Sequence, residues 1–114
     1  MTTCVFCDIV ARKIPAQIVM ENEHVLAFRD IRPAAPTHVL VIPKGHLPGI
    51  HEATGAHGDV LGRVMLAARD VAESLGLASD GYRLVVNQGA NAGQSVLHLH
   101  CHVLGGRHLA WPPG

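Results

Sequence analysis

From Gly58 to Leu75 the apolar residues Val60, Leu61, Val64, Met65, Ala68, Val71, Ala72 and Leu75 recur at the spacing of one helix face. No other stretch sustains that repeat, so the chain has one long helix, stopped by Gly76, and must build the rest of its core from strands. Gln17 to Glu21, His24 to Asp30, the β-branched His38 to Ile42, Tyr82 to Asn87 and Val96 to Leu104 read as those strands. Cys4 to Ala11 has room for a short helical turn before Ile14-Pro15 breaks the pattern. Asn22-Glu23 is a tight turn, and the prolines of Arg32 to Pro36 exclude regular pairing there. Short connections between neighbouring strands favour an antiparallel α+β domain over a parallel βαβ arrangement. The whole chain, 1–114, is expected to form this one domain.

At 114 residues the core is small, and a bound metal or a partner subunit would add stability. Lys and Arg number 9 and Asp and Glu number 9, which leaves no basic footprint for nucleic acid. No uncharged apolar run approaches the roughly 18 residues of a membrane span. The opening MTTCVFCDIVARKIPAQ lacks the basic region, long apolar core and cleavage site of a secretory leader, so a cytoplasmic location is expected. Cys4, Cys7 and Cys101 cannot all pair, and the spacing of the first two suits a metal or redox site better than a disulfide framework.

The unusual count is 9 histidines, three of which alternate in His98-Leu99-His100-Cys101-His102-Val103-Leu104. On a strand the period of two puts these three imidazoles on one face and Leu99, Cys101 and Val103 on the other, so Cys101 is expected in the core. Histidines two apart stand roughly 6.5 to 7 Å from each other at Cα, close enough to share one small site. A solvent-facing strand or a three-histidine zinc site would show the same alternation. Phosphate chemistry is favoured by the preceding loop, Asn87-Gln88-Gly89-Ala90-Asn91-Ala92-Gly93-Gln94-Ser95, whose glycines allow close backbone approach. Asn87 and Ser95 add side-chain hydrogen bonds for phosphoryl oxygens. Taken alone, the loop is equally a plain strand connection.

Together these residues, GQSVLHLHCHVLGGR, resemble the signature of the histidine-triad family, His-x-His-x-His with hydrophobic residues between. The similarity extends over IPAQIVMENEHVLAFRDIRPAAPTHVLVIPKGH, and the ending GGRHLAWPPG is similar to the Hint branch, the histidine-triad nucleotide-binding proteins. The resemblance implies an antiparallel five-stranded sheet with one long helix and a short N-terminal helix, extended across a homodimer. It implies a purine nucleoside phosphoramidase for substrates such as adenosine 5′-monophosphoramidate, working through a nucleotidyl-histidine. A dinucleoside polyphosphate hydrolase and a nucleotide-binding regulatory module are the alternatives. Carried onto this chain, the resemblance makes His100 the nucleophile, sets His102 and His38 beside it, and places Ser95 near the scissile bond. It gives Asp30 the ribose hydroxyls and makes Ile31 and Phe6 walls for the purine, with Asn87, Gly93 and Gln94 joining Ser95 around the nucleotide.

The chemistry agrees with those roles. A neutral imidazole is a competent nucleophile near pH 7, a second can pass the proton a leaving amine needs, and a covalent intermediate divides one hard displacement into two. No divalent metal is obligatory for that chemistry. Asp30 reads equally well as a strand-end cap, and Phe6 and Ile31 as plain core.

Cys4-x-x-Cys7 has the spacing of half a structural zinc site, though two small buried residues would look the same. Some bacterial members of the family resemble this chain in such a pair and complete a zinc site with two histidines, here His46 and His98. A closed site of Cys4, Cys7, His46 and His98 would be structural and would take His98 out of the chemistry. Trp111, in the tail Trp111-Pro112-Pro113-Gly114, resembles the tryptophan that crosses toward the partner's active site. His24, His51, His57 and His108 match no role and are expected on the surface.

Overall fold

The computed structural model describes residues 4–114. A short helix α1 (Val5–Val10) precedes three strands, β1 (Ile18–Glu21), β2 (Val25–Arg29) and β3 (Thr37–Pro43). The long helix α2 (Gly58–Ser74) follows, then β4 (Tyr82–Val85) and β5 (Cys101–Gly105). All neighbours are antiparallel in the order β1-β2-β3-β5-β4. Among the described residues no helix is long and apolar enough to cross a membrane.

The sheet is buried on both faces, and the two faces do different work. Val25, Ala27, Val39, Val41, Cys101 and Val103 pack on the small residues Ala67, Ala68 and Ala72 of α2, with Val64 and Val71 between them. The intervening residues Leu26, Phe28, Leu40 and Ile42 point the other way, onto Phe6 and Ile9 of α1. Cys101 thus lies in the helix-side core, as strand parity requires, and burial pushes its thiol up to about 11. The histidines fall on the α1 side.

Local chemistry sets the ends. The Cys4 sulfur accepts the Cys7 N–H at 3.4 Å to start α1. Asn22 Oδ1 accepts the N–H groups of His24 and Val25 at 2.8 and 3.0 Å, closing the β1–β2 turn. Thr54 and His57 cap the 3-10 turn that leads into α2, the Thr54 N–H donating to His57 Nδ1 at 2.9 Å. His57 is therefore a structural cap and not a bystander.

Most element boundaries shift by a single residue from the sequence expectation, and two shift further. Helix α2 ends at Ser74 with Leu75 as its cap, and β4 stops at Val85, short of Asn87. The larger correction concerns the last strand, expected from Val96 and found only from Cys101. Residues 96–100 are drawn aside instead: the Leu99 N–H donates to the Leu47 carbonyl at 2.6 Å, and His98 Nε2–H to the Pro43 carbonyl at 2.8 Å. These bonds tie the segment to the end of β3 and to the loop after it, where it cannot also form a regular ladder.

Candidate active site and metal centre

Helix α1 carries Cys4 and Cys7 to the loop after β3, where His46 stands, and to the bent segment holding His98. His98 is fully buried, and its Nδ1 lies 3.4 Å from Cys4 Sγ, 3.5 Å from Cys7 Sγ and 3.2 Å from His46 Nδ1. Cys7 Sγ is 3.4 Å from His46 Nδ1, and all four ligand atoms lie within 4.8 Å of one another. A tetrahedron with metal–sulfur bonds of about 2.3 Å and metal–nitrogen bonds of about 2.0 Å has sulfur–nitrogen edges of roughly 3.5 Å and nitrogen–nitrogen edges of roughly 3.3 Å. The side chains already stand at those edges.

The proton inventory agrees. His98 Nε2–H is spent on the Pro43 carbonyl, so Nδ1 presents a lone pair to the cluster, and burial keeps the ring neutral by lowering its pKa. Burial, and then the neighbouring Cys4 thiol, push Cys7 up to about 11. A dication among these donors reverses that preference, because coordination deprotonates a thiol outright. Cys4, Cys7, His46 and His98 therefore fit a structural tetrahedral metal ion. It would tie α1 to the histidine segment.

The other histidines form a chain of fixed tautomers. The Ala34 N–H donates to His38 Nδ1 at 3.0 Å, so the His38 proton is on Nε2. That Nε2–H donates to His102 Nδ1 at 2.8 Å, with Asp30 Oδ2 3.4 Å away. His102 must then carry its own proton on Nε2, a buried atom with no hydrogen-bond partner among the described residues. His100 is set the opposite way: its Nδ1–H donates to the His98 carbonyl at 2.7 Å, leaving the Nε2 lone pair free.

The rings of His100 and His102 stand 5.0 Å apart, and Phe6 packs edge-on to His100 at 5.1 Å. Burial, followed by His100 and His38, lowers His102 to about 4. Burial lowers His38 as well, against the pull of Asp30. Both are neutral at pH 7, as the relay requires. Asp30, His38 and His102 are also close enough to suggest a second metal site. A metal on His38 Nε2 would force the proton onto Nδ1, which the Ala34 N–H already occupies.

A cavity of about 400 Å³ opens in front of these rings, lined among others by Phe6, Phe28, Asp30, Ile31, Ser95, His100 and His102. Ile31 is 92% exposed, so it is a rim residue and not core, whereas Phe6 is buried. Asp30 serves two ends at once: Oδ1 caps the following loop by accepting the Arg32 N–H at 2.8 Å, and the residue still lines the cavity.

Three expected contacts do not line this cavity: Asn87, Gly93 and Gln94. The Gln94 side chain joins its own loop to the loop after β3, accepting the Gly89 N–H at 2.8 Å and donating to the Pro48 carbonyl at 2.9 Å. Gly93 ends a 3-10 turn with φ of 80°, a backbone role. His24 and His57 are half-buried, while His51 and His108 are exposed.

The groups that sequence reasoning missed are mostly main-chain: the Ala34 N–H and the carbonyls of Pro43 and His98, which no side-chain pattern announces. Arg83 is the exception. It donates to the carbonyls of Leu109 and Ala110 at 3.3 and 3.0 Å and lies 5.7 Å from the ring of Trp111, which is 78% exposed.

With this geometry in view, the HIT domain model matches residues 11–109. The chain belongs to the HIT family. It is 46% identical to a HIT family hydrolase of Legionella pneumophila, covering 98% of this chain and 100% of that one, with a TM-score of 0.96. A histidine triad nucleotide-binding protein of Candida albicans superposes with a TM-score of 0.83 at 30% identity, over 96% of this chain and 83% of that one. In sequence, the chain is 49% identical to a 14 kDa zinc-binding protein of Zea mays, over 96% of this chain and 87% of the relative. The HIT fold thus accounts for the five-stranded antiparallel sheet and its single long helix.

Proposed function

We propose that this HIT protein cleaves the P–N bond of purine nucleoside 5′-phosphoramidates through a nucleotidyl intermediate on His100. The observation that carries the reading is the pair of opposed tautomers: a free Nε2 lone pair on His100 and, on His102, a buried Nε2–H with no partner among the described residues, the two residues lining one cavity. A lone pair and a donor facing one small space suit attack on phosphorus by the first and hydrogen bonding to a phosphoryl oxygen or leaving nitrogen by the second.

In this scheme His100 Nε2 forms a bond to phosphorus as the P–N bond to the amine breaks. The departing nitrogen takes a proton through His102, which His38 backs through Nδ1. Water then attacks phosphorus, returns a proton to that pair and frees the nucleotide. Phe6 and Ile31 flank the purine, and Asp30 takes the ribose hydroxyls. Ser95 lies beside the phosphate. Zinc on Cys4, Cys7, His46 and His98 is structural, a reading supported by the near-tetrahedral donor spacing and by the zinc-binding maize relative. The nucleotide itself is supported by the Candida relative's name.

Two experiments test this. A panel of adenosine and guanosine phosphoramidates against dinucleoside polyphosphates should give the highest kcat/KM for a phosphoramidate. Acid quench with mass spectrometry should find a nucleotidyl adduct on His100. His100→Ala should lose roughly 10⁴-fold or more in kcat with nucleotide binding retained, as removal of a nucleophile does. Retained turnover in that variant would mean that water attacks phosphorus directly.

A further inference from the structure

We propose that the Cys4–Cys7–His46–His98 centre positions the nucleophile, and that losing its cysteine donors, by substitution or by two-electron oxidation of the pair, unseats His100. The inference rests on the reading of His100 as nucleophile. It concerns how that residue is held.

His98 is fastened at three points. Its Nδ1 faces the two sulfurs and His46, its Nε2–H is bonded to Pro43, and its carbonyl accepts His100 Nδ1–H at 2.7 Å. That last bond alone decides which nitrogen of His100 is free. Strand β5 begins only at Cys101, so no ladder holds the His98 carbonyl in place. Its direction depends on the side-chain anchors and on one bond from Leu99 to Leu47.

A second link runs through α1. Phe6 lies between Cys4 and Cys7 in sequence and packs against both His98, at 5.9 Å, and His100, at 5.1 Å. Releasing the cysteines frees both supports of the catalytic ring.

The centre is also open to small oxidants. Cys4 and His46 line a cavity of about 620 Å³, and both cysteines are only half-buried. With hydrogen peroxide as oxidant, the two thiolates are joined as a disulfide, the O–O bond is reduced and two protons are consumed to give two waters. The metal departs, having lost two of its four donors. Cys101 is buried in the helix-side core and stays reduced.

The test uses the full chain loaded with zinc and read by ring ¹⁵N NMR together with steady-state kinetics. The loaded protein should hold one zinc per chain and show His100 protonated at Nδ1 only. Hydrogen peroxide should remove two of the 3 cysteine thiols and release the zinc to a chromophoric chelator. His100 should pass into mixed tautomers, and kcat should fall about 10- to 100-fold, more than KM rises, as for loss of outer support to a reactive group. Thiol reductant with zinc should restore all three readouts.

Cys4→Ser/Cys7→Ser should match the oxidised protein. If that variant does not fold, the peroxide arm decides, with far-UV circular dichroism confirming that the oxidised chain stays folded. Failure to bind zinc, or a His100 tautomer and kcat unchanged after zinc release, overturns the proposal. If the tautomer follows the metal while His100→Ala keeps its turnover, the positioning stands and the nucleophile reading falls.

Discussion

His102 is held neutral at a cost to stability that acid should expose. Its folded pKa is lowered from 6.5 to about 4, chiefly by burial and then by His100 and His38. Between those values the unfolded chain binds a proton at this position and the folded chain does not. Stability therefore falls as pH drops below 6.5, and the loss is complete only below about 4. At about 1.4 kcal/mol per pH unit, that gap corresponds to roughly 3 kcal/mol. His38 shifts in the same direction and metal loss adds to the acid sensitivity, so the wild type alone cannot isolate the effect. The comparison with His102→Gln can, because both chains share those other contributions. Urea unfolding of the two proteins between about pH 7.5 and 4.5 should show the wild type losing roughly 2 to 3 kcal/mol more than the variant. Parallel curves would mean that His102 titrates in the folded protein as it does in the unfolded one, and the neutral relay described above would be wrong.

Gly106→Ala should destabilise the fold by roughly 1 to 3 kcal/mol, measured by thermal unfolding, because φ there is +92° and the new Cβ would lie 2.9 Å from Pro36 Cβ. Among the described residues the outer edge of β4 has no partner strand, and the homodimer that the family resemblance implies would join there; sedimentation should then show twice the 12.1 kDa chain mass. In that dimer Trp111 would reach the partner's site, so removing residues 111–114 should alter the preference among leaving amines while leaving the unfolding midpoint nearly unchanged. A monomer with unaltered specificity would refute that use of the tail.

The parts of this protein that were legible in its sequence are those governed by side-chain periodicity. The face of α2 could be read from Val64, Ala68, Val71 and Ala72, all of which are buried. Strand parity put Cys101 in the core with Val103. What could not be read were the main-chain partners that fix the histidine tautomers and divert the last strand. Alternation from His98 to Leu104 gave the right side of the sheet for each histidine and the wrong start for the strand, because the bonds that divert the segment come from the Leu47 and Pro43 carbonyls. The side-chain bonds of Gln94 were hidden in the same way: it serves Gly89 in its own loop and Pro48 in the loop after β3, a pair of contacts that its position in a glycine-rich stretch does not disclose.

The diverted segment also explains how three histidines at a spacing of two come to do separate jobs. On a regular strand all three rings would stand side by side over the α1 face, facing the same ligand in equivalent orientations. The bend before Cys101 breaks that equivalence. It sinks His98 among the two sulfurs and His46, turns its carbonyl onto His100, and leaves only His102 within the ladder, opposite Leu40 of β3 and one turn of the pleat from His38. Each ring then receives its tautomer from a different main-chain group: Pro43 for His98, His98 for His100, and Ala34, by way of His38, for His102. One sequence repeat thereby yields a metal ligand, a free lone pair and a buried donor. The irregularity that sequence periodicity misreads is the same irregularity that makes the site chemically asymmetric.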